Sequence, residues 1–443
     1  MAGRPSTSRV LDVWMNGELV GHWSVRGSDH EFKYADAWLA SASTRALSLS
    51  LPLTQGTAPF KGNTVENYFD NLLPDSLDIR KRVAARFGAR STQAFDLIEK
   101  IGRDCVGAVQ LMAHGASPVD VREIHARPLS ASDIEQLLDE TVAAPGLGSD
   151  GEDGSLRISL AGAQEKTALL MHEGQWCRPL GATPTTHILK LPLGHVGRSR
   201  ADFSSAVENE WLCSRLALAF GLSVAECHIE QFGVYKALVV ERFDRKFLGT
   251  WWARLPQEDF CQVLGISPGL KYENQGGPGM STILATLRGS SCAASDRETF
   301  LASQLFFWLL AAPDGHAKNF SIFLEPGGAY RLTPLYDILS AWPAIGNGPN
   351  MFQWKRVTIA MAVRAGNAHY KMDEISRRHW NDTAKSNAVG MNFEPTIERF
   401  IRRAPEAIAK VQAQLPENFP AHVSDSIFGG ILRQVRTLQR QAT

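Results

Sequence analysis

The first part of the chain combines strand-like and helix-like patterns of apolar residues. Apolar and polar residues alternate over residues 10–25 around Asn16-Gly17, and this arrangement predicts a β-hairpin. Over residues 64–87 the apolar positions have helical spacing, which Pro74 interrupts. Residues 1–128 are therefore expected to form an N-terminal module that mixes strands with helices.

The middle of the chain, residues 129–248, contains short β-patterned runs and one amphipathic helix. Strands are predicted at residues 156–160, 166–171, 186–191, 227–232 and 235–240. A helix is predicted over residues 206–220, because Gly221 then supplies a residue suited to a helix C-terminus. This order predicts a β-rich unit with a helix packed against it.

The remainder of the chain, residues 249–443, has mainly helical spacing. Residues 297–311 are strongly apolar, while residues 396–414 and 427–439 are amphipathic. The pattern predicts a helical C-terminal lobe.

The composition is that of a folded protein with more than one core. The chain has 443 residues, 44% hydrophobic and 21% charged, and this length exceeds what one core usually supports. The formal net charge of zero argues against strong independent binding to nucleic acid or to an anionic membrane. No apolar stretch approaches the ~20 residues of a membrane span, and the cysteines form no C-x-x-C pair. We therefore expect a cytoplasmic protein in a reducing compartment.

Two acidic motifs in the C-terminal part suit phosphoryl transfer from a nucleotide. Asp314-Gly-His-Ala-Lys-Asn319 follows an apolar helix, and its spacing matches loops in which Asp accepts a hydroxyl proton and Asn binds Mg²⁺. Asp337 follows a β-patterned run and is expected to complete the Mg²⁺ site, since oxygen ligands suit this ion. His316 is expected to contact a phosphate. Taken singly, the acids also fit turns or caps, and the histidine also fits a loop with only structural contacts.

A lysine in a predicted strand and a glutamate in the next helix form a second constellation. Lys190 lies in a β-rich run, where burial of its ammonium group requires a partner. Glu208 and Glu210 are the candidates, and Glu210 is favoured because an apolar face lies beside it. A strand lysine paired with a helix glutamate is typical of kinases, in which the lysine contacts ATP phosphates. An exposed lysine on an edge strand is the alternative.

A loop before Lys190 is expected to cover the phosphates with backbone N–H groups. Nucleotide binding is assigned there to Ala161, Gly162, Ala163, Gln164, Glu165 and Lys166. Ser159 and Thr167 are candidate hydroxyls near the γ-phosphate, and a solvent-facing strand position is the alternative for Ser159. The backbone where two lobes would join is expected to bind adenine through Glu241, Arg242 and Phe243.

These parts occur along the chain in the order found in kinases. The order predicts an α+β protein with a two-lobed protein-kinase-like fold, an N-terminal mixed β/α module and an all-helical C-terminal lobe. The predicted boundaries are residues 1–128, 129–248 and 249–443. ATP and Mg²⁺ are the expected cofactors, and Asp314 is the expected catalytic base.

Several motifs resemble those of the HipA family across nearly the whole chain. The motifs are Ser159-Leu-Ala-Gly-Ala-Gln-Glu-Lys-Thr167, Thr185-Thr-His-Ile-Leu-Lys190, Val240-Glu-Arg-Phe-Asp244, Leu255-Pro-Gln-Glu-Asp259, Asp314-Gly-His-Ala-Lys-Asn319, Leu332-Thr-Pro-Leu-Tyr-Asp337, Asn71-Leu-Leu-Pro-Asp75 and Ile101-Gly-Arg-Asp104. The resemblance implies a serine/threonine protein kinase that is the toxin of a type II toxin–antitoxin pair. It implies as partner a HipB-like helix-turn-helix antitoxin, through which the complex would bind operator DNA and repress its own operon.

The resemblance also implies roles for individual residues. Asp314 would be the base, Asn319 and Asp337 the Mg²⁺ ligands, Lys190 and His316 the phosphate contacts, Glu241 to Phe243 the adenine site, and Ser159 an autophosphorylation site. The implied substrate is a translation component, such as the glutamyl-tRNA synthetase that the family phosphorylates. No membrane partner is expected.

Two other functions fit part of the pattern. A small-molecule phosphotransferase also uses an Asp-x-x-x-x-Asn loop, but the sequence shows no acidic pocket for a cationic acceptor. A non-catalytic co-repressor scaffold would use the fold only structurally, and the unusual phosphate loop favours it. The intact set of Lys190, Asp314, Asn319 and Asp337 opposes it.

Overall fold

The computed structural model describes residues 8–53, 58–142, 159–162, 164–196 and 200–441. Residues 9–113 of the described ranges form a mixed β/α module, as the sequence predicted. Its elements are β1 (Arg9–Met15), β2 (Glu18–Arg26), β3 (Asp29–Tyr34), α1 (Asp36–Leu39), β4 (Phe60–Lys61), α2 (Asn63–Asp70), α3 (Leu77–Phe87), α4 (Ala94–Ile101) and β5 (Val109–Ala113). The strands form an antiparallel sheet in the order β4-β3-β2-β1-β5, and the β1–β2 hairpin turns at Asn16-Gly17.

The segment between α2 and α3 of this module contacts the rest of the molecule. Trp23 of β2 is fully buried and stacks on Phe69 of α2, with ring centroids 4.0 Å apart. α2 ends before Pro74, and α3 begins after Ser76, whose hydroxyl accepts a hydrogen bond from the Ile79 N–H. Residues 71–75 therefore stay outside the helices and contact the next part of the chain.

The middle of the chain forms a second sheet. Its elements are β6 (Ala126–Pro128), α5 (Ala131–Val142), β7 (Lys166–His172), β8 (Gln175–Pro179), β9 (His187–Lys190), β10 (Gly194–Val196), β11 (Ala201–Phe203), α6 (Ala206–Ala219), β12 (Cys227–Phe232) and β13 (Tyr235–Glu241). The sheet has the order β12-β13-β9-β7-β8-β6, so β9 lies between two other strands. β9 is therefore not an edge strand.

The strand predicted at residues 156–160 needs correction. Ser159 and Leu160 are not in a strand, and residues 156–158 lie outside the described ranges. The Ser159 N–H donates to the Asp104 carbonyl oxygen of the N-terminal module, 3.0 Å away, and not to a neighbouring strand. A tertiary contact has thus replaced the sheet pairing that local alternation predicted.

The C-terminal lobe is mainly helical, but the described part also contains strands. Its elements are β14 (Arg245–Phe247), β15 (Trp252–Arg254), β16 (Gln257–Asp259), α7 (Phe260–Val263), α8 (Met280–Thr286), α9 (Ala293–Leu309), β17 (Ser321–Leu324), β18 (Tyr330–Leu332), β19 (Thr358–Ala365), β20 (Asn367–Lys371), α10 (Arg377–Ser386), α11 (Glu394–Gln412) and α12 (Ala421–Arg440). The expectation of an all-helical lobe is corrected in this respect. β19 is buried along an unbroken apolar run, which lacks the alternation that marks a strand, and β14 to β18 are too short to show a period.

The apolar cores do not follow the predicted boundaries in every case. One cluster lies in residues 11–111 and a smaller one joins α5 to the second sheet. The largest cluster joins α6 and β13 to α9, α11 and α12, so it crosses the boundary predicted at residue 248. The three-part division of the chain stays a prediction. None of the described helices has the length and apolar character required to cross a membrane.

Candidate active site

Lys190 lies at the centre of the candidate site. β9 carries it into the protein, where it is buried. Its ammonium Nζ lies 2.5 Å from Glu210 Oε1 on α6 and 2.8 Å from Asp337 Oδ1. Glu208, the other candidate partner, instead accepts a hydrogen bond of 2.6 Å from Lys236. Two carboxylates from distant parts of the chain thus converge on one ammonium group.

Lys190 and Asp337 stabilise each other's charged form. Burial alone would lower the pKa of Lys190, but Asp337 and Glu210 outweigh burial and raise it. Burial alone would raise the pKa of Asp337, but the ammonium groups of Lys190 and Lys166 outweigh it and hold the pKa well below its usual range. Burial raises the pKa of Glu210, and Lys190 opposes the rise. Lys190 is therefore charged and Asp337 ionised at neutral pH.

The Asp314–Asn319 loop follows α9 and is tightened by a hydrogen bond between its ends. The Asn319 amide Nδ2 donates to the Asp314 carbonyl oxygen at 2.6 Å, which leaves the amide Oδ1 available to a cation. The Asp314 side chain is about half exposed (48%), as a group that meets a substrate must be. The hydroxyl of Tyr272, a residue that the sequence analysis missed, donates to the Asp314 carboxylate.

His316 is buried beside Asp314. Its Nε2 lies 3.7 Å from Asp314 Oδ1, and its Nδ1 has no hydrogen-bond partner among the described residues. Burial lowers the pKa of His316, although Asp314 opposes this shift. The imidazole is therefore neutral near pH 7, and it can offer a hydrogen bond but no positive charge to a phosphate.

Lys318, inside the same motif, anchors the loop to the N-terminal module. Its Nζ donates to the backbone carbonyl oxygen and the side-chain Oδ1 of Asn71, at 3.0 and 2.8 Å, and to Asp259 Oδ2 at 3.1 Å. Nearby, Lys271 Nζ donates to Asp75 Oδ2 at 2.8 Å. The sequence analysis quoted the motifs that contain Lys318, Asn71, Asp75 and Asp259 but gave these residues no role, and it did not single out Lys271. No spacing in the sequence relates these residues to one another.

The phosphate loop is also attached to the N-terminal module. Ser159 is fully buried, and its hydroxyl donates to the Leu72 carbonyl oxygen at 2.7 Å. The Asp75 N–H donates to the Gly162 carbonyl oxygen at 3.0 Å. Gly162 has φ +107, and a Cβ there would lie 2.7 Å from Lys166 Nζ, so a side chain would displace that ammonium group. The loop is therefore held close to Lys166.

The other residues assigned to this loop differ in position. Ala161, Gly162 and Lys166 line the cleft. Gln164 Nε2 donates to the Leu191 carbonyl oxygen at 2.6 Å, and Glu165 forms an ion pair with Arg82, so neither side chain is among the cleft-lining groups. Ala163 lies outside the described residues, and Thr167 is buried in β7. The nucleotide-binding roles of all six residues, Ala161 to Lys166, stay predictions.

Lys166 differs from the buried Lys190 and Lys318 in having no ion-pair partner among the described residues. No carboxylate among the described residues lies within 4.0 Å of its ammonium group. Burial, and secondly the charge of Lys190, lower the pKa of Lys166 to about 8. An unpaired cation beside Lys190 and Gly162 favours a polyanionic ligand.

The same cleft has an apolar end at the junction of the lobes. The cleft has about 1050 Å³ of empty space, part of which is open to solvent, and its apolar walls are Val106, Leu160, Ile188, Ala225, Val240 and Phe243. The N–H groups of Glu241 and Arg242 donate to other backbone carbonyls, whereas the Phe243 N–H has no partner among the described residues. The Arg242 guanidinium forms hydrogen bonds with Asp244 and Thr185. We call residues 241–243, at the junction of the lobes, the hinge. Of these residues, Phe243 is thus the one whose backbone N–H has no partner among the described residues and can donate to a nucleotide base.

A buried ionic cluster joins the N-terminal module to this hinge. Asp104 Oδ1 accepts hydrogen bonds from Arg245 at 3.0 Å and from Arg254 at 3.1 Å, and Asp104 Oδ2 accepts one from the Thr185 hydroxyl at 2.6 Å. Burial would raise the pKa of Asp104, but the surrounding arginines outweigh it and hold the pKa well below its usual range. The cluster fixes the hinge relative to the module.

Together these groups suit a nucleoside triphosphate with a divalent cation. An apolar slot with one free N–H suits a planar base, and the ammonium groups of Lys166 and Lys190 suit phosphates. Asp337 and the Asn319 amide supply the hard oxygen ligands that Mg²⁺ prefers. Asp314, Asn319, Asp337, Lys190 and His316 all line this one cleft.

Sequence comparison places the chain among known proteins. A family model described as the HipA-like C-terminal domain matches residues 158–416, and one described as the HipA N-terminal domain matches residues 11–112. Y4mE of Sinorhizobium fredii is 34% identical over 420 residues, which cover 93% of this chain and 93% of that protein. The serine/threonine-protein kinase toxin HipA of Shewanella oneidensis is 30% identical over 431 residues, which cover 93% of this chain and 92% of that protein.

Structural comparison gives the same result. A chain in the solved complex of HipA, HipB and operator DNA from Shewanella oneidensis has a TM-score of 0.77 to this one, at 25% identity, with 97% of each chain covered. This likeness confirms the kinase-like fold that the sequence predicted. Since family models and relatives of full length agree, the chain belongs to the HipA family.

Proposed function

We propose that this protein is an ATP- and Mg²⁺-dependent serine/threonine protein kinase that acts as the toxin of a HipA–HipB type pair. The observation that carries the proposal is the Lys190 ammonium group, held between Glu210 and Asp337 in the cleft that Asp314 and Asn319 also line. A structural ion pair would need one carboxylate, whereas a second carboxylate supplied by Asp337 matches the arrangement for binding phosphate and metal together.

Each group has a chemical task in this proposal. Lys190 and Lys166 hold the phosphates, and Phe243 with the apolar walls holds adenine. Asn319 and Asp337 are the Mg²⁺ ligands, and the ion when bound neutralises charge that develops on the phosphates. Asp314 accepts the proton of the acceptor hydroxyl. The oxygen of that hydroxyl bonds to the γ-phosphorus, while the bond between the γ-phosphorus and the β-phosphate oxygen breaks.

The acceptor and the partners are proposed from the relatives. One relative is named a serine/threonine-protein kinase toxin, and a solved complex contains HipA, HipB and operator DNA. We extend these to a serine or threonine of a translation component, such as glutamyl-tRNA synthetase, as substrate, and to a HipB-like antitoxin that carries the complex to DNA for operon repression. Ser159 is the proposed autophosphorylation site.

Phosphopeptide mass spectrometry tests the activity. The purified chain is incubated with Mg²⁺ and ATP, with and without candidate tRNA synthetases, and Asp314→Asn is the matched control because it keeps the size of the side chain. Phosphoserine or phosphothreonine should form with the parent and not with the variant. If the parent transfers no phosphate to protein but transfers labelled phosphate from ATP to small molecules, the assignment of a protein acceptor is wrong. If neither the parent nor Asp314→Asn transfers phosphate and both repress the operon equally, the chain acts as a scaffold. If both transfer phosphate equally, Asp314 is not the base.

A further inference from the structure

We propose that Asp12, His22 and His114 form a binding site for a divalent transition-metal ion on the N-terminal module. The three side chains offer two imidazole nitrogens and a carboxylate oxygen, and all three ligand atoms lie within 4.8 Å of one another. None of them lines the nucleotide cleft, so this site is separate from the kinase chemistry.

Sheet register brings the three residues together. Asp12 on β1 is directly opposite His22 on β2, and on its other side Asp12 is paired with Met112 of β5. His114 follows the end of β5 by one residue. Asp12 and His22 thus lie on one face of the sheet as a cross-strand pair, and His114 reaches Asp12 from two positions beyond Met112.

The distances leave room for an ion after a small adjustment. Asp12 Oδ1 lies 2.7 Å from His22 Nδ1 and 2.9 Å from His114 Nδ1. The two imidazole rings are edge to face at 80°, so they do not stack flat on each other. Tetrahedral ligand bonds of about 2.0–2.2 Å place ligand atoms about 3.3–3.6 Å apart, so Asp12 Oδ1 and each imidazole nitrogen must separate by roughly 0.4–0.9 Å.

The carboxylate is oriented by the backbone. The Gly115 N–H donates to Asp12 Oδ2 at 2.8 Å, which fixes the carboxylate and leaves Oδ1 towards the imidazoles. Asp12 is 3% exposed, whereas the His114 side chain is 63% exposed. A bound ion would therefore have a buried, oriented anchor on one side and water ligands on the other, and such outer hydrogen bonds are typical of metal sites.

The donor set selects the class of ion. Two imidazoles and one carboxylate suit zinc and other first-row transition ions, whereas Mg²⁺ and Ca²⁺ prefer oxygen ligands alone. Without an ion, Asp12 accepts hydrogen bonds from the two Nδ1–H groups. On binding, each imidazole would give its Nδ1 lone pair to the ion, and exchange with water would replace the proton lost from Nδ1 by one on Nε2.

Zinc titration of the full chain tests the site. After treatment with a chelator, the protein is titrated with zinc chloride against a chromogenic zinc indicator, and bound zinc is counted by mass spectrometry after dialysis. The parent should hold about one zinc ion per chain at this site, and zinc should raise its melting temperature. Asp12→Asn and His114→Ala should each lose that ion, while the matched control His195→Ala, which removes an exposed histidine elsewhere, should keep it.

Cobalt binding supplies a second readout that does not depend on stability. Co²⁺ at a site with two imidazoles and one carboxylate should give a visible absorption band that is lost in His114→Ala and kept in His195→Ala. The proposal is overturned if the parent binds no zinc in the micromolar range, or if Asp12→Asn and His114→Ala bind as much zinc as the parent. In either case the cluster is only a carboxylate hydrogen-bonded to two histidines.

Discussion

Ser159 is the residue whose replacement tests most directly how the phosphate loop is held. Its side chain is fully buried, and its hydroxyl donates to the Leu72 carbonyl oxygen at 2.7 Å. Ser159→Asp removes the proton that makes this hydrogen bond and places a carboxylate next to a carbonyl oxygen. The docked loop then contains an unpaired buried acceptor and a buried charge, both of which favour release of the loop.

The size of the effect follows from these two changes. An unpaired buried acceptor costs about 1–3 kcal/mol, and the carboxylate adds a desolvation cost that the loop avoids by leaving its place. If docking is weakened by about 2–3 kcal/mol, ATP affinity falls by at most roughly 30-fold to 140-fold, at about 1.4 kcal/mol per tenfold change, because a loop that stays mostly docked lowers it less. Ser159→Ala loses the hydrogen bond without gaining a charge, so its loss of about 1 kcal/mol corresponds to roughly fivefold. A phosphate at Ser159, with a charge of about −1.5 to −2, should act more strongly than aspartate.

Two measurements separate loop release from general damage. Calorimetry with Mg²⁺ and ATP gives the affinity of each variant, and hydrogen exchange of the amides in residues 159–170 reports whether the loop is docked. We expect Ser159→Asp to lose affinity and exchange protection together, while its melting temperature stays near that of Ser159→Ala. Equal ATP affinity in Ser159→Asp and the parent, with a protected loop, would falsify this reasoning.

Three further predictions concern other parts of the site. Asp104→Ala leaves three buried arginines without this carboxylate and should lower the free energy of unfolding by about 3–5 kcal/mol, which urea denaturation measures; a loss below about 1 kcal/mol contradicts the role of the cluster. The Kd for ATP should rise as the pH increases above about 8, because Lys166 is charged below its pKa and neutral above it; calorimetry across this range should show a flatter profile for Lys166→Arg, and identical profiles would exclude a phosphate contact. Tyr272→Phe removes the hydroxyl that donates to the Asp314 carboxylate. Because the acceptor hydroxyl must donate to the same carboxylate, steady-state assays should give a lower KM for the protein acceptor, with unchanged ATP affinity. A higher KM would show that the Tyr272 hydroxyl assists acceptor binding.

Local pattern was sufficient to predict the strand and helix that carry the central ion pair. β9 and α6 have clear spacing, and a lysine among β-branched and aliphatic residues required a buried partner, which is Glu210. The sequence analysis favoured Glu210 over Glu208 because an apolar face lies beside it. Both glutamates are buried in the structure, where Glu210 pairs with Lys190 and Glu208 with Lys236. The strands of the C-terminal lobe could not be predicted in the same way, because the apolar run of β19 fits a buried strand and a buried helix equally.

Contacts between distant segments had no signal in the sequence. Ser159 meets Leu72 across 87 positions, and Lys318 meets Asn71 across 247 positions. Periodicity reports which face of an element is buried but not which other element covers it. Tyr272 was missed for the same reason, since no spacing relates it to Asp314.

The N-terminal module is a structural part of the candidate active site and not an appended domain. Its residues 71–75 hold both the phosphate loop, through Gly162, and the Asp314–Asn319 loop, through Lys318. A loop that is docked in one state and released in another is a two-state element, and ATP favours the docked state if the loop covers its phosphates. A partner that binds the module differently in the two states must then change the ATP affinity, and ATP must change the affinity for that partner by the same factor. The contacts of residues 71–75 thus provide a physical route by which a partner bound to the module and a nucleotide bound in the cleft can change each other's affinity without touching.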